Sequence, residues 1–307
     1  MAINKLVMAA LKALSYPDID IKRNYKWERQ VENVAHYHYL KPFYKAWDHK
    51  VSCGDHEVPV RIFSPPGRMR HAILLFFHGG GWVLGNIDSY DKVCANMARL
   101  TNHLVVSVDY RLAPEYKFPA ALEDTNQVFA WVLDHAEEYG FDRTRIFGVG
   151  DSAGAHNLGL YAAVCTNPEY AAKYSFQPPE GFVPTAVALN CGVYRAPVSE
   201  DEKDQSNLLM ADLLPERGTK DEYEKISLVN YVTSQYPPVF LMTAAGDFLR
   251  EQAPLLVEKL MEFEIPFVYR YYGSADRPLG HVFHCNIRLQ EASRCNDEEC
   301  DFFRSYC

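Results

Sequence analysis

The stretch Arg145-Ile146-Phe147-Gly148-Val149-Gly150-Asp151-Ser152-Ala153-Gly154-Ala155-His156 decides the fold. It reads as a short buried strand, a Gly-x-Ser-x-Gly turn, and a helix beginning near Ala153. Such a turn is too tight for side chains on both flanks of the serine. Gly150 and Gly154 answer that need, because a Cβ at either place would meet the neighbouring strand or helix. Ser152 Oγ is then held out at the top of a sheet. The first turn of the following helix adds a positive dipole end beside it. Gly-x-Ser-x-Gly is short enough to arise by chance. The flanking strand and helix, and a second motif upstream, set this one apart.

That second motif is His78-Gly79-Gly80-Gly81-Trp82, directly after the apolar run Ala72-Ile73-Leu74-Leu75-Phe76-Phe77. Successive glycines after a strand leave backbone N–H groups able to point at one oxygen, which builds an oxyanion hole without side chains. The plainer alternative is a flexible glycine turn. Strand, histidine and glycine loop upstream of a serine elbow is the order that acyl-transfer chemistry requires.

Outward from these motifs, apolar strands alternate with helical periodicity. Residues 48–64 predict two strands around a turn at Cys53-Gly54-Asp55. Residues 87–101 predict a helix, 103–109 a buried strand, and 119–138 a helix. Further strands are expected at 186–191, 237–243 and 266–272, with helices at 250–263 and at the C-terminus. The predicted class is α/β, a mostly parallel central sheet flanked by helices. Residues 194–232 break the rhythm and read as a helical insertion. The run Ser199–Asp204 within it is most simply a solvated face.

A serine hydroxyl needs a base within reach, and the base needs a third group to fix its tautomer. In a sheet of this kind the acid and then the histidine follow the serine, each in a loop after a strand. Asp247 and His281 occupy those places. His284 is a rival base, expected instead to begin the last helix. Asp276 and Glu251 are rival acids not placed directly at a strand end. A helix N-cap role for Asp247 is compatible with a catalytic one.

The chain resembles the hormone-sensitive-lipase-like family of α/β-hydrolases. Three motifs carry the resemblance: His78-Gly79-Gly80-Gly81-Trp82; Asp109-Tyr110-Arg111-Leu112-Ala113-Pro114-Glu115 with Phe118-Pro119-Ala120-Ala121 and Glu123-Asp124; and Gly150-Asp151-Ser152-Ala153-Gly154. They anchor the likeness from about residue 48 to the C-terminus. The resemblance implies an α/β-hydrolase fold and a serine carboxylic-ester hydrolase acting on short-chain acyl esters, acetyl esters among them. It implies a Ser152–His281–Asp247 triad, an acyl-enzyme intermediate, and an oxyanion hole from the N–H groups of Gly80, Gly81 and Ala153. No metal or organic cofactor is implied. The family's Asp-Pro-Leu and His-Gly-Phe read here Asp247-Phe248-Leu249 and His281-Val282-Phe283. Phe248 and Val282 are therefore taken, with Trp82, as shaping the substrate pocket. His78 is expected to brace the glycine loop, Asp151 to be structural, and Asp109, Arg111 and Glu123 to form a buried polar network under that loop. His156 stands where many relatives have Asn. Two alternatives stay open: an arylacetamide-type amidase or deacetylase, and a non-catalytic small-molecule receptor on the same fold, against which a complete triad argues.

The chain has 307 residues, 48% hydrophobic and 23% charged, enough for a large core. A net charge of −9 argues against nucleic-acid and anionic-membrane partners. No apolar run is long enough to span a bilayer. Leu6–Leu11 after Lys5 faintly resembles a signal peptide, but Lys12 interrupts it without a clear cleavage site. An amphipathic helix and a cytoplasmic protein are expected. The expected organisation is one domain, 1–307, with cap elements at about 1–45 and 194–232. The aromatic-rich stretch Tyr25–Trp47 reads equally as a lid or as ordinary packing. His36 and His38 do not share a helix face, so metal binding is not expected there. Eight cysteines without Cys-x-x-Cys spacing predict reduced thiols, with Cys295, Cys300 and Cys307 exposed. Oligomeric state is open; dimers through a sheet edge or the last helix are common in the family it resembles.

Overall fold

The computed structural model describes residues 26, 29, 45–65, 71–199 and 204–307. Apart from Lys26 and Arg29, the proposed N-terminal lid up to residue 44 lies outside the described residues, as does most of the charge run before residue 204.

Among the described residues, eight strands form one sheet. They are β1 (Lys45–Ser52), β2 (Glu57–Ser64), β3 (His71–Phe77), β4 (Leu104–Val108), β5 (Phe141–Asp151), β6 (Ala186–Asn190), β7 (Val239–Ala244) and β8 (Phe267–Tyr272). Their spatial order is β1-β2-β4-β3-β5-β6-β7-β8. The β1/β2 and β2/β4 pairs are antiparallel, and every later pair is parallel. Parallel strands need crossovers, and helices supply them. The longer ones are α1 (Asp91–Thr101), α2 (Ala120–Asp134), α3 (Ala153–Thr166), α4 (Gln205–Leu213), α5 (Lys220–Lys225), α6 (Gln252–Glu262) and α7 (Gln290–Arg304).

The alternation along β3 shows why both faces must be covered. Ile73, Leu75 and Phe77 enter one apolar cluster with Leu122 and Phe129 of α2 and Leu158 and Tyr161 of α3. Ala72, Leu74 and Phe76 enter a second cluster with Met97 of α1 and Phe303 of α7. A continuous apolar run on a doubly covered strand follows from this period of two.

Helix α7 overturns part of the thiol expectation. Cys295 and Cys300 lie on its buried stripe against the second cluster, with 0% and 1% exposure, and only Cys307 of the three is exposed. The thiols of all eight cysteines are free. His284 does not begin this helix either: it sits in a single 3-10 turn, Phe283–Cys285, and α7 starts at Gln290. The insertion after β6 is helical as expected, carrying α4, α5 and a short turn at Leu228–Asn230. It docks on the body through Phe118 N–H, which donates to Leu213 O at 2.8 Å. Lys117 Nζ adds a bond of 2.8 Å to Leu214 O.

Candidate active site

The site lies at the C-terminal ends of β3, β5, β7 and β8. Ser152 sits between the last residue of β5 and the first of α3, at φ 55° and ψ −114°. This backbone region is costly for a residue with a Cβ, and the surroundings fix it. A Cβ on Gly150 would stand 2.5 Å from the backbone of Gly154, and one on Gly154 would overlap Phe77 O. Ser152 N–H donates to Asn190 O at 2.8 Å, so the elbow is also pinned to the end of β6.

His281 Nε2 lies 2.9 Å from Ser152 Oγ, and its Nδ1 lies 2.7 Å from Asp247 Oδ1. The three residues come from loops after β5, β7 and β8. Asp247 is fully buried, and Thr243 Oγ1 donates to its other oxygen at 2.8 Å. Leu249 N–H donates to Asp247 Oδ1 at 2.9 Å, a local turn rather than an N-cap of α6. Burial pushes the Asp247 carboxyl up, yet hydrogen bonding and charge from His281 together hold it below its ordinary range. With an ionised Asp247, Nδ1 carries the proton and Nε2 is free to accept one from Ser152. The rivals stand elsewhere. His284 Nε2 faces Asp151 at 3.0 Å. Glu251 pairs with Arg250, and Asp276 is exposed.

The glycine loop touches Ser152. A Cβ on Gly79 would come 3.2 Å from Ser152 Cβ. Gly80 and Gly81 take φ values of 129° and 59°, which favour glycine. His78 is buried and stacks on Tyr110 at 4.3 Å, and the Tyr110 hydroxyl donates to His78 O at 2.6 Å. Burial pushes His78 down to about 4, so it braces the loop as a neutral ring. Arg29 Nε and Nη2 donate to Val83 O and Ala113 O at 2.8 and 3.0 Å, joining the N-terminal segment to the same loop.

The polar network expected from Asp109, Arg111 and Glu123 is arranged differently. Arg111 pairs with Glu123 at 3.0 Å and with fully buried Asp124 at 2.8 Å, and His56 also reaches Asp124 at 2.8 Å. Asp109 instead lies 3.9 Å from His78 Nε2, and burial raises its carboxyl to about 6. The sequence reading missed Asp124 as the hub, because an acid inside an amphipathic helix reads first as a solvated residue.

Trp82, Phe248 and Val282 occupy three different settings. Phe248 is 57% exposed, with its ring centroid 4.4 Å from that of His281. Val282 follows the histidine in a left-handed conformation at φ 46°. Trp82 is buried; its Nε1–H donates to His156 Nδ1 at 3.1 Å, while His156 Nε2–H donates to Ile226 O at 2.8 Å. His156 thus joins the glycine loop to the insertion. Burial pushes its pKa down to about 4, which keeps Nδ1 an acceptor.

Among the described residues, two trios bring metal-binding atom types within 4.8 Å: Asp151–His284–Cys285 and Cys191–Asp247–His281. In both, carboxylate and imidazole stand at 3.0 or 2.7 Å, hydrogen-bond distance. Tetrahedral zinc ligands stand farther apart, roughly 3.3 Å. A groove of about 480 Å³ lined by Asn126, Arg143 and Phe182 contains none of Ser152, Asp247 and His281. No helix among the described residues is long and apolar enough to cross a membrane.

Known proteins share this arrangement of chain. A family model described as the α/β-hydrolase fold matches residues 74–284. The chain is 32% identical over 251 residues to an arylesterase of Saccharolobus solfataricus, covering 76% of each chain. It is 30% identical to an acetyl esterase of Salmonella schwarzengrund, covering 70% of this chain and 67% of that one. Two further relatives are matched over only 32% and 35% of their own length. A solved hyperthermophilic esterase from Pyrobaculum calidifontis superposes with a TM-score of 0.76 at 25% identity over 99% of both chains. By its motifs, its sheet and these matches, the chain belongs to the α/β-hydrolase family, in the hormone-sensitive-lipase-like group of esterases.

Proposed function

We propose that the protein hydrolyses short-chain acyl esters, with Ser152 as nucleophile, His281 as general base and acid, and Asp247 as the group that orients His281. The single observation that carries this reading is the continuous Ser152–His281–Asp247 hydrogen-bonded chain, at 2.9 and 2.7 Å. Ser152 Oγ attacks the ester carbonyl carbon as its proton passes to His281 Nε2. The carbonyl oxygen takes the negative charge and accepts hydrogen bonds from N–H groups of Gly80, Gly81 and Ala153. Collapse of this intermediate breaks the ester C–O bond, and His281 returns the proton to the leaving alcohol. Water then attacks the acyl-enzyme with His281 again as base, which releases the acid and restores Ser152. Asp247 stays ionised throughout and stabilises the imidazolium.

The preference for short acyl groups is supported by the names of the relatives, an arylesterase and an acetyl esterase. In this reading one domain carries the chemistry. The insertion 194–232 serves as a cap, since a Cβ on Gly81 would touch Leu209 of α4 at 3.5 Å. Phe248, Trp82 and Val282 shape the pocket. The eight free thiols accord with a reducing, cytoplasmic setting. A homodimer through a sheet edge or through α7 belongs to the same proposal.

The test is hydrolysis of aryl esters from acetyl to dodecanoyl by the native chain and by Ser152→Ala and His281→Ala. Turnover should peak at two to four carbons, and either substitution should lower kcat by about 10⁴-fold or more. No turnover by the native chain, with tight binding of ester analogues, would leave a receptor-like role instead.

A further inference from the structure

Beneath Ser152 lies a second carboxylate–imidazole pair that the reaction does not use. Asp151, the residue just before the nucleophile, and His284, three residues after His281, are both fully buried. His284 Nε2 donates to Asp151 Oδ1 at 3.0 Å. Asp151 adjoins Ser152, and His284 lies three residues past His281 in the same loop. This contact, between residues 133 apart in sequence, therefore ties the elbow directly to the loop that carries the base.

Other bonds make the tie rigid. Asn190 O accepts from Ser152 N–H at 2.8 Å, and the Asn190 side chain donates to Asp151 Oδ1 at 3.1 Å. The same amide nitrogen reaches Glu299 Oε2 of α7 at 3.0 Å. Asn296, one turn earlier on α7, donates to His284 O at 3.1 Å, and Cys285 Sγ to Asp151 Oδ2 at 3.2 Å. The ends of β5 and β6, the His281 loop and α7 thus meet in one set of buried polar contacts.

We propose that His284 is a positioning residue of the reaction: through Asp151 it sets the distance between Ser152 Oγ and His281 Nε2. The proposal rests on the reading that Ser152, His281 and Asp247 are the triad. The physical reason is the steepness of a buried contact between the Asp151 carboxylate and an imidazole N–H. Such a pair adds little net stability, yet opening it leaves uncompensated charge away from water at heavy cost. Drift of the base loop away from the elbow is therefore opposed more strongly than apolar packing alone would oppose it. Near-attack geometry is sensitive on the same length scale, since a misplacement of about 1 Å can cost 10²-fold in rate.

The test compares His284→Leu, His284→Gln and Asp151→Asn with the native chain, on a short aryl ester. Active sites are counted by stoichiometric titration with a p-nitrophenyl phosphonate, followed long enough to label every folded site. The second-order rate of that labelling is measured separately, because it reports the nucleophilicity of Ser152 independently of ester turnover. The expected result for His284→Leu is a fall of about 10- to 100-fold in kcat per active site, with KM within about threefold and labelling slowed in parallel. Gln at 284 keeps an N–H donor and should recover most of the loss. Asp151→Asn keeps the shape and should show the same split if His284→Leu does not fold. Normal kcat per active site in the variants that fold, with only a lowered melting temperature, would overturn the proposal and leave a purely structural role. Full activity in Ser152→Ala or His281→Ala would instead remove the triad reading, and the proposal with it. That failure is distinguishable because it appears in variants that leave Asp151 and His284 intact.

Discussion

Ser152 was legible as a residue because its strain is written into its neighbours: the glycines at 150 and 154 are the positions where a Cβ has no room. Asp247 and His281 were legible by order and by strand ends, since a loop after a strand is where a sheet of this kind presents side chains. His156 was not legible. A histidine one turn into the helix after Ser152 invites a chemical role. Its partners, Trp82 and Ile226, come from segments 74 and 70 residues away, and sequence spacing carries no trace of them. The structure gives it a mechanical role, and that role has a measurable size. In His156→Leu both the Trp82 indole N–H and the Ile226 carbonyl lose their partner inside the protein. Each buried unsatisfied group costs about 1–3 kcal/mol. The variant should therefore lose about 2–6 kcal/mol of stability by urea denaturation, with KM rising more than kcat falls as the insertion loosens from the glycine loop. Unchanged stability would mean that solvent reaches this position.

Elements were predicted in type and order wherever apolar periodicity was strong, and less well in their ends. Helix α6 illustrates why. The periodic pattern placed a helix at 250–263, and its actual stop is encoded without the usual glycine. Ile265 N–H donates to Leu260 O at 2.9 Å and Glu264 N–H to Met261 O at 3.2 Å, the paired bonds of a Schellman cap. The residue that must turn left-handed there is Glu264, at φ 57° and exposed. A side chain with a Cβ pays roughly 1–2 kcal/mol for that conformation, while glycine adopts it freely. Glycine at this site also adds backbone entropy to the unfolded chain, which takes back part of the gain. Glu264→Gly should therefore raise stability by about 0.5–1 kcal/mol, seen as a higher melting temperature with unchanged turnover. A lower melting temperature would show that the Glu264 side chain makes a contact worth more than the strain. Helix α7 shows the converse limit. Its stripe Ala292, Cys295, Asn296, Glu299, Phe303 has helical spacing, and all five are buried. Cys295 was misplaced to the surface because neighbouring charges at Asp297, Glu298 and Asp301 dominate the local composition.

At the scale of the whole molecule, the doubly covered parallel sheet followed from alternating strands and helices, and burying it forces the last helix against the strand ends that carry the site. That closure brings Glu299 under the elbow, with a consequence for stability as a function of pH. The carboxyl is fully buried; desolvation, with the Asp151 charge adding to it, raises it to about 7, while His284 and the Asn190 amide pull the other way. Cys295 and Cys300 on its own helix are thiols that burial keeps protonated. In the unfolded chain the same carboxyl titrates near 4.3. Between those two values the native state binds a proton that the unfolded state has released, so this group's contribution to stability falls as pH rises. The slope is at most about 1.4 kcal/mol per pH unit. His284, held above its ordinary range by Asp151 against its own burial, acts in the same direction around and above its normal titration. Asp247 and Asp151 are held low, so their contribution disappears only as pH falls below the ordinary carboxylate range, and they do not oppose the trend near neutrality. His78 and His156, each pushed down to about 4, act in the opposite sense up to the ordinary histidine titration near 6.5, while Asp109, raised to about 6, acts with Glu299, so the Glu299 contribution is read as a difference between two proteins. Glu299→Gln keeps the shape and cannot ionise, so relative to the native chain its urea midpoints should gain steadily from pH 5 to pH 7. Equal slopes in the two proteins would mean that Glu299 is already ionised in the fold, paired with a protonated His284 rather than neutral beside it.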